Sequence, residues 1–214
     1  SEAAMDRAVA ALRICSDKLR RRDVWLTRNV ATEACRRASN GSEFVERVYA
    51  ETGIALDVIS PGEEARLAVL GCQSLIDSEG PPALVFDIGG GSTELILVTR
   101  GARGEAVIQG WTSVPWGVVS LTETEPHDLS ESQRLLAYER MRARVSEHLV
   151  NFRANVERVA PGPLQLLGTS GTITTLASVD MGLAGYDRRL VDGCMVTSAA
   201  MRAISADLAA KSPA

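Results

Sequence analysis

The segment Asp87-Ile88-Gly89-Gly90-Gly91-Ser92-Thr93-Glu94 sets two carboxylates on either side of a glycine turn, between the apolar runs Ala83 to Phe86 and Leu95 to Val98. Runs of that length, bounded by glycine and serine, predict two buried strands joined as a hairpin. Asp87 then ends one strand and Glu94 begins the next. Across the turn they are close enough to share a hard cation such as Mg2+, directly or through its waters. Glycines let backbone N–H groups come close to an anion, and Ser92 and Thr93 add hydroxyl donors. The pattern suits phosphate chemistry, and a hairpin turn with a solvated Asp and Glu is the plain alternative.

A second glycine turn repeats that chemistry. The apolar run Leu164 to Leu167 leads into Gly168-Thr169-Ser170-Gly171-Thr172 and then into a predicted helix from about Ile173 to Met181. Hydroxyls and unpaired N–H groups there meet the positive end of the helix dipole, which favours an anion. It is not a P-loop, since no Gly-Lys-Ser/Thr follows, and not the G-x-G-x-x-G fingerprint of dinucleotide binding. One such turn is an ordinary helix start. Two of them, each directly after an apolar strand, point to a shared phosphate site.

Composition bounds what the rest can be. The 214 residues are 45% hydrophobic and 23% charged, which fits a globular chain of one large or two small domains. A net charge of -4 argues against a broad nucleic-acid surface, and no apolar run approaches the roughly 20 residues of a membrane span. Neither nucleic acid nor membrane is an expected partner. Cys15, Cys35, Cys72 and Cys194 form no C-x-x-C, and the histidines are His127 and His148, so neither zinc nor a disulfide framework is suggested. Reduced, buried cysteines and a cytoplasmic location are the expectation.

The elements that must position these residues alternate between helix and strand. Ala3 to Arg22 reads as a helix with apolar Met5, Val9, Leu12 and Leu19 and a basic last turn. A strand is predicted over Val24 to Val30, helices over Thr32 to Ala38 and Glu43 to Glu51, a stop at Gly53, and a strand over Ile54 to Ile59. Ser60 and Pro61 suit the start of a helix continuing from Glu63 to Leu75, and Ser78 to Pro82 reads as a linker. After the hairpin come a strand over Ala106 to Val114 and a turn at Pro115-Trp116-Gly117. Ser130-Glu131-Ser132-Gln133 has capping-box form and opens a long helix to about Val156, with Leu135, Tyr138, Val145, Leu149, Phe152 and Val156 near one face. A last helix runs from Ser198 to about Ala210.

The segments VATEACRRASN, TGIALDVISPGEEARLAVLG, LVFDIGGGSTELILV and LLGTSGTITTLASV, in that order, resemble the exopolyphosphatase and guanosine pentaphosphate phosphohydrolase (Ppx/GppA) family. The resemblance spans about Leu26 to Met201. It implies an α/β, ribonuclease-H-like fold of the actin-like ATPase and sugar-kinase superfamily, in two domains with the active site in the cleft between them. It also implies a hydrolase that uses Mg2+ to remove the terminal phosphate of inorganic polyphosphate or pppGpp. Residue by residue, Glu64 is similar to the catalytic glutamate that activates water, and Asp87 and Glu94 to the metal-associated carboxylates. Gly89, Gly90, Gly91 and Ser92 match one phosphate loop, and Gly168, Ser170, Gly171 and Thr172 the other. Arg36 corresponds to a substrate-facing arginine, whose guanidinium suits phosphate oxygens. Glu63 is expected only to complement the helix dipole, and Arg37 and Arg66 to be surface or ion-pair residues.

The family pattern also includes a D-x-G-[ST]-N-[ST] hairpin ahead of the first helix and an Arg-Ala-Asp segment after the last, and the connection Thr122 to Leu129 is shorter than usual. The expectation is therefore an internal piece of a longer protein: 1–78 as the remnant of a first α/β domain and 79–214 as a second, truncated at its C-terminus. Such a piece can lack activity that the whole protein has. A homodimer is compatible with the resemblance. Two other classes stay open: an ATP-using enzyme of the same superfamily, and a non-catalytic module that binds polyphosphate or an alarmone and has no need of Glu64.

Overall fold

A computed structural model of the chain describes residues 1–126 and 129–212. His127 lies outside the described residues, as does part of the Thr122 to Leu129 connection. The chain divides into two compact units, Ser1–Glu64 and Ala65–Ala214.

In the first unit, α1 (Glu2–Arg21) packs on α3 (Gly41–Thr52) because their apolar positions recur at helical spacing. Val9, Val48 and Ile54 form the buried centre, with Leu12, Phe44 and Leu56 around it. The Ser16 hydroxyl donates to the Thr52 carbonyl at 2.7 Å and so pins the end of α3 to α1. Gly53 ends α3 in the left-handed region at φ 73°, the expected stop. Between these helices, α2 (Glu33–Arg37) follows β1 (Asn29–Ala31), which pairs in parallel with β2 (Leu56–Val58). Both strands are shorter than expected. The predicted strand over Val24 to Val30 survives only in β1, and Trp25 and Leu26 lie 96% and 90% exposed. An apolar run becomes a strand only where a ladder partner exists, and β2 offers a partner to residues 29–31 alone.

The helix α4 (Pro61–Cys72) starts as the sequence suggests, with the Ser60 hydroxyl accepting from the Glu63 N–H at 3.2 Å. A 3-10 turn, Gln73–Leu75, completes the predicted span. The division between units falls inside α4, ahead of the expected linker, because Ala65, Val69 and Cys72 bury themselves on the sheet of the second unit.

That sheet has the order β5-β4-β3-β6. The strands β3 (Ala83–Ile88), β4 (Thr93–Arg100) and β5 (Ala106–Val114) form an antiparallel meander. Then come a short helix α5 (Val118–Thr122) and the long α6 (Glu131–Val159), which return the chain to lay β6 (Gln165–Thr169) parallel to β3. A parallel neighbour requires such a crossover. In the capping box of α6, the Gln133 carboxamide accepts from the Ser130 N–H at 2.9 Å. Period-two alternation gives the sheet two apolar faces. Ala83, Val85, Ile96 and Val98 meet α4, while Leu84, Leu95 and Leu97 meet Phe152, Val156 and Val159 of α6. Leu135, assigned to the inner face of α6, is 42% exposed because the helix start runs past the apolar cluster it shares with the sheet. Helices α7 (Ser170–Asp180), α8 (Arg188–Val191) and α9 (Ser198–Ala210) follow β6, and α8 carries no sequence signal long enough to read. Of the cysteines only Cys72 is buried; Cys15 is exposed.

Ile96 is wholly buried between α4 and its sheet neighbours. Ile96→Ala should destabilise the second unit by about 2–5 kcal/mol, read as a lower urea midpoint with unchanged slope.

Candidate active site

The hairpin register decides the geometry of the second unit. Asp87 lies directly opposite Glu94, Glu94 opposite Ser113, and Asp87 opposite Thr169. Directly opposed residues share a face, so Ser113, Glu94, Asp87 and Thr169 form one polar row across all four strands. The row continues the face that carries Ala83, Val85, Ile96 and Val98. Glu94 is 1% exposed, and one of its carboxylate oxygens accepts from the Ser113 hydroxyl at 2.8 Å. Asp87 is partly buried, and the Ser170 hydroxyl lies near its carboxylate. Burial pushes its carboxyl above the ordinary value near 3.8, and the Ser170 hydroxyl draws it partway back.

Beyond this row the β3–β4 turn runs Gly89 to Ser92, closed by the Gly89 N–H donating to the Ser92 carbonyl at 3.0 Å. The turn's carbonyls face α5. Val118 N–H donates to Gly89 O at 3.0 Å, and the Val119 and Ser120 N–H groups donate to Gly90 O at 2.9 and 3.1 Å. Among the described residues, no protein acceptor takes the N–H groups of Gly90, Gly91 and Ser92. A turn whose carbonyls are engaged on one side while its N–H groups are unclaimed is a nest for an anion. Gly89, Gly90 and Gly91 do not adopt left-handed φ. The tight spot is Gly117, where a Cβ would come within 2.4 Å of Gly89 O and 2.5 Å of the Gly90 carbonyl carbon. Sequence reasoning saw Gly117 only as part of a turn and missed α5, whose five residues are too few to show a period.

The second loop lies at the ends of β3 and β6. The Thr172 hydroxyl donates to Ile88 O at 2.8 Å and ties the start of α7 to the end of β3. Thr169 at the N-cap makes no side-chain cap, which leaves first-turn N–H groups of α7 available to an anion. Ser170 has φ 78°, a left-handed backbone costing roughly 1–2 kcal/mol for an L-residue, and its hydroxyl lies near Asp87. A Cβ on Gly171 would meet nothing within 4 Å. Gly168 faces protein instead: a Cβ there would sit 2.7 Å from Ile173 and 2.8 Å from the Phe86 ring.

In the first unit, Arg36 and Glu64 come together. Arg36 Nη2 donates to Glu64 Oε2 at 2.9 Å and to Glu33 Oε2 at 3.1 Å, and Nη1 donates to the Ile59 carbonyl at 2.7 Å. All three side chains are less than one-fifth exposed. Glu63 pairs with Arg28 at 3.1 Å in addition to sitting in the first turn of α4, and Arg37 stands 3.7 Å from Glu33. Glu33 carries no signal in the sequence that sets it apart.

A sequence model of the Ppx/GppA phosphatase family matches residues 1–210. The chain belongs to the Ppx/GppA family. It is 34% identical over 169 residues to exopolyphosphatase 2 of Mycobacterium tuberculosis, covering 75% of this chain and 49% of that one. It thus spans about half the length of that relative. The crystal structure of an exopolyphosphatase-like protein superposes with a TM-score of 0.80 at 29% identity, covering 99% of this chain and 66% of that one. An exopolyphosphatase from Cytophaga hutchinsonii gives a TM-score of 0.71 at 30% identity, covering 85% and 55%. The α/β class expected from the motifs is the fold of these solved Ppx/GppA members.

Among the described residues, no three His, Cys, Asp or Glu side chains gather as a cation cage. Asp87 and Glu94, opposed in register, are a two-carboxylate set. That set fits Mg2+, which keeps several waters and takes substrate phosphate oxygens in place of a full protein shell. The raised Asp87 carboxyl is the kind of group that a cation would relieve.

Because the folded-state value of Asp87 is raised, the native state holds the proton more tightly than the unfolded chain. Stability is therefore lost as pH rises from the unfolded value through the folded one. Asp87→Asn removes that loss, so its urea midpoint should exceed wild type above this window, with the gap closing as pH falls below it. Added Mg2+ should raise the midpoint of wild type and leave Asp87→Asn unmoved.

Proposed function

We propose that the full-length protein releases the terminal phosphate of inorganic polyphosphate, or of pppGpp, by attack of water on phosphorus. The observation that supports this best is the meeting of an N–H-presenting glycine turn, the start of α7 and the opposed pair Asp87 and Glu94 at one end of one sheet. Membership of the Ppx/GppA family adds weight.

In this reading the Gly90, Gly91 and Ser92 N–H groups and the α7 first turn bind phosphate oxygens as they gain charge. Asp87 and Glu94 would hold Mg2+, whose charge offsets that of the phosphates. Glu64, whose Oε2 is held by Arg36, orients a water and accepts its proton as it attacks in line. The N–H groups Arg36 has left over bind non-bridging oxygens. A net charge of -4 does not oppose a polyanion, since oriented N–H groups and local cations set the potential where it binds.

Glu64→Gln keeps the size and the hydrogen-bond acceptor but removes the base. Phosphate release from long-chain polyphosphate and from pppGpp should fall by about 100-fold or more with the fold intact by circular dichroism. Near-normal turnover would take Glu64 out of this role. Faster release from ATP than from either substrate would favour a nucleotide-using enzyme, and tight polyphosphate binding without release would favour a sensor.

A further inference from the structure

We infer that Glu33 is a positioning residue for the hydrolysis assigned above, acting on Glu64 through Arg36; the inference rests on that assignment. A guanidinium carries five N–H groups. Three of those on Arg36 are taken, one by Ile59 O and both on Nη2 by carboxylates, one from Glu33 and one from Glu64. The sharing of Nη2 has a consequence for Glu64. Arginine and a carboxylate by themselves settle into a two-pronged pair that uses both oxygens. Here Glu33 occupies one Nη2 hydrogen and Ile59 holds Nη1, so Arg36 grips Glu64 through Oε2 alone. Oε1 is left to accept a proton from water.

The anchoring also removes freedom. An arginine side chain carries about 2 kcal/mol of rotamer entropy, and a single contact with Glu64 would leave the guanidinium free to turn about it. Contacts with the Ile59 carbonyl, at the junction of β2 and α4, and with Glu33 on its own helix α2 fix the plane. Glu33 is itself steadied by Arg37, 3.7 Å from its other oxygen. The cluster of Glu33, Arg36 and Glu64 thus fixes the orientation of the base before substrate arrives.

The test is steady-state phosphate release from polyphosphate by the full-length protein with Mg2+, for wild type, Glu33→Ala and Glu33→Gln. Without Glu33, Arg36 can close on both oxygens of Glu64, so Glu33→Ala should lower kcat by about 10- to 100-fold while KM moves far less. Glu33→Gln keeps an acceptor for Nη2 and should restore kcat to within about threefold of wild type. Added to Glu64→Gln, Glu33→Ala should cost nothing further, because both act on one step. If Glu33→Ala fails to fold, Glu33→Ser suits the helix start and cannot reach Arg36, so it takes that place. Wild-type kcat in Glu33→Ala, equal losses in Ala and Gln variants, a loss in KM alone, or additivity with Glu64→Gln would each overturn the inference. Wild-type protein that releases no phosphate would instead sink the hydrolase assignment, and this inference with it.

Discussion

Everything in the second unit depends on the register of one hairpin. Side chains on a strand alternate faces with period two, so a slip of one residue between β3 and β4 would move every one of them to the other face. The register that buries Val85 against Ile96 is the same one that sets Asp87 against Glu94. Four aliphatic side chains on that face, Ala83, Val85, Ile96 and Val98, together with α4, therefore fix where the two carboxylates lie. At roughly 1.5–3 kcal/mol for each large aliphatic buried, the core outweighs the cost of holding polar groups at its end. The opposite face is locked in the same way by Phe152, Val156 and Val159 of α6. The polar row is thus placed by packing, and no contact among its own members is needed to hold it there.

The two loops show how a backbone is turned into an anion site. At the β3–β4 turn the carbonyls are drawn to one side by donors from the start of α5, and Gly117 allows that approach because it has no Cβ. At the β6–α7 junction Ser170 takes a left-handed backbone close to Asp87 while Thr172 ties α7 to β3. One loop relies on the absence of a side chain at a residue outside it. The other relies on strain accepted at a residue within it, which is where strained backbone is commonly found.

What could be read from the sequence follows the range over which each signal acts. The strands flanking Gly89 to Ser92, the strand Ala106–Val114 and the helix Ser198–Ala210 were legible because turn residues and apolar periods are local. The opposition of Asp87 and Glu94 was legible because a four-residue turn fixes register. The loss of the strand before Asn29 was not, since it depends on whether a distant ladder exists. Gly117 and α5 were missed because their role is defined by carbonyls far back in the chain. Glu33 escaped for a similar reason: nothing near it in the sequence says that Arg36 will be shared with Glu64.

Glu64 and Asp87 are handled by opposite means, and the contrast is consistent with the cation proposed at Asp87. Glu33 and Glu64 share a guanidinium that is itself anchored to a carbonyl, so removing any one of the three leaves partly buried charge or donors unsatisfied. Their positive partner is built into the chain. Asp87 is treated differently: its carboxyl is raised by desolvation and offset by one hydroxyl. A carboxylate in that state is costly by itself and favourable beside a cation, and it sits one strand from the buried Glu94. If the carboxylate at 87 served only the fold, an arginine of the kind that serves Glu64 would stabilise its ionised form. A site proposed to take a cation is better served by leaving that demand open, and the demand falls beside the N–H groups suited to phosphate.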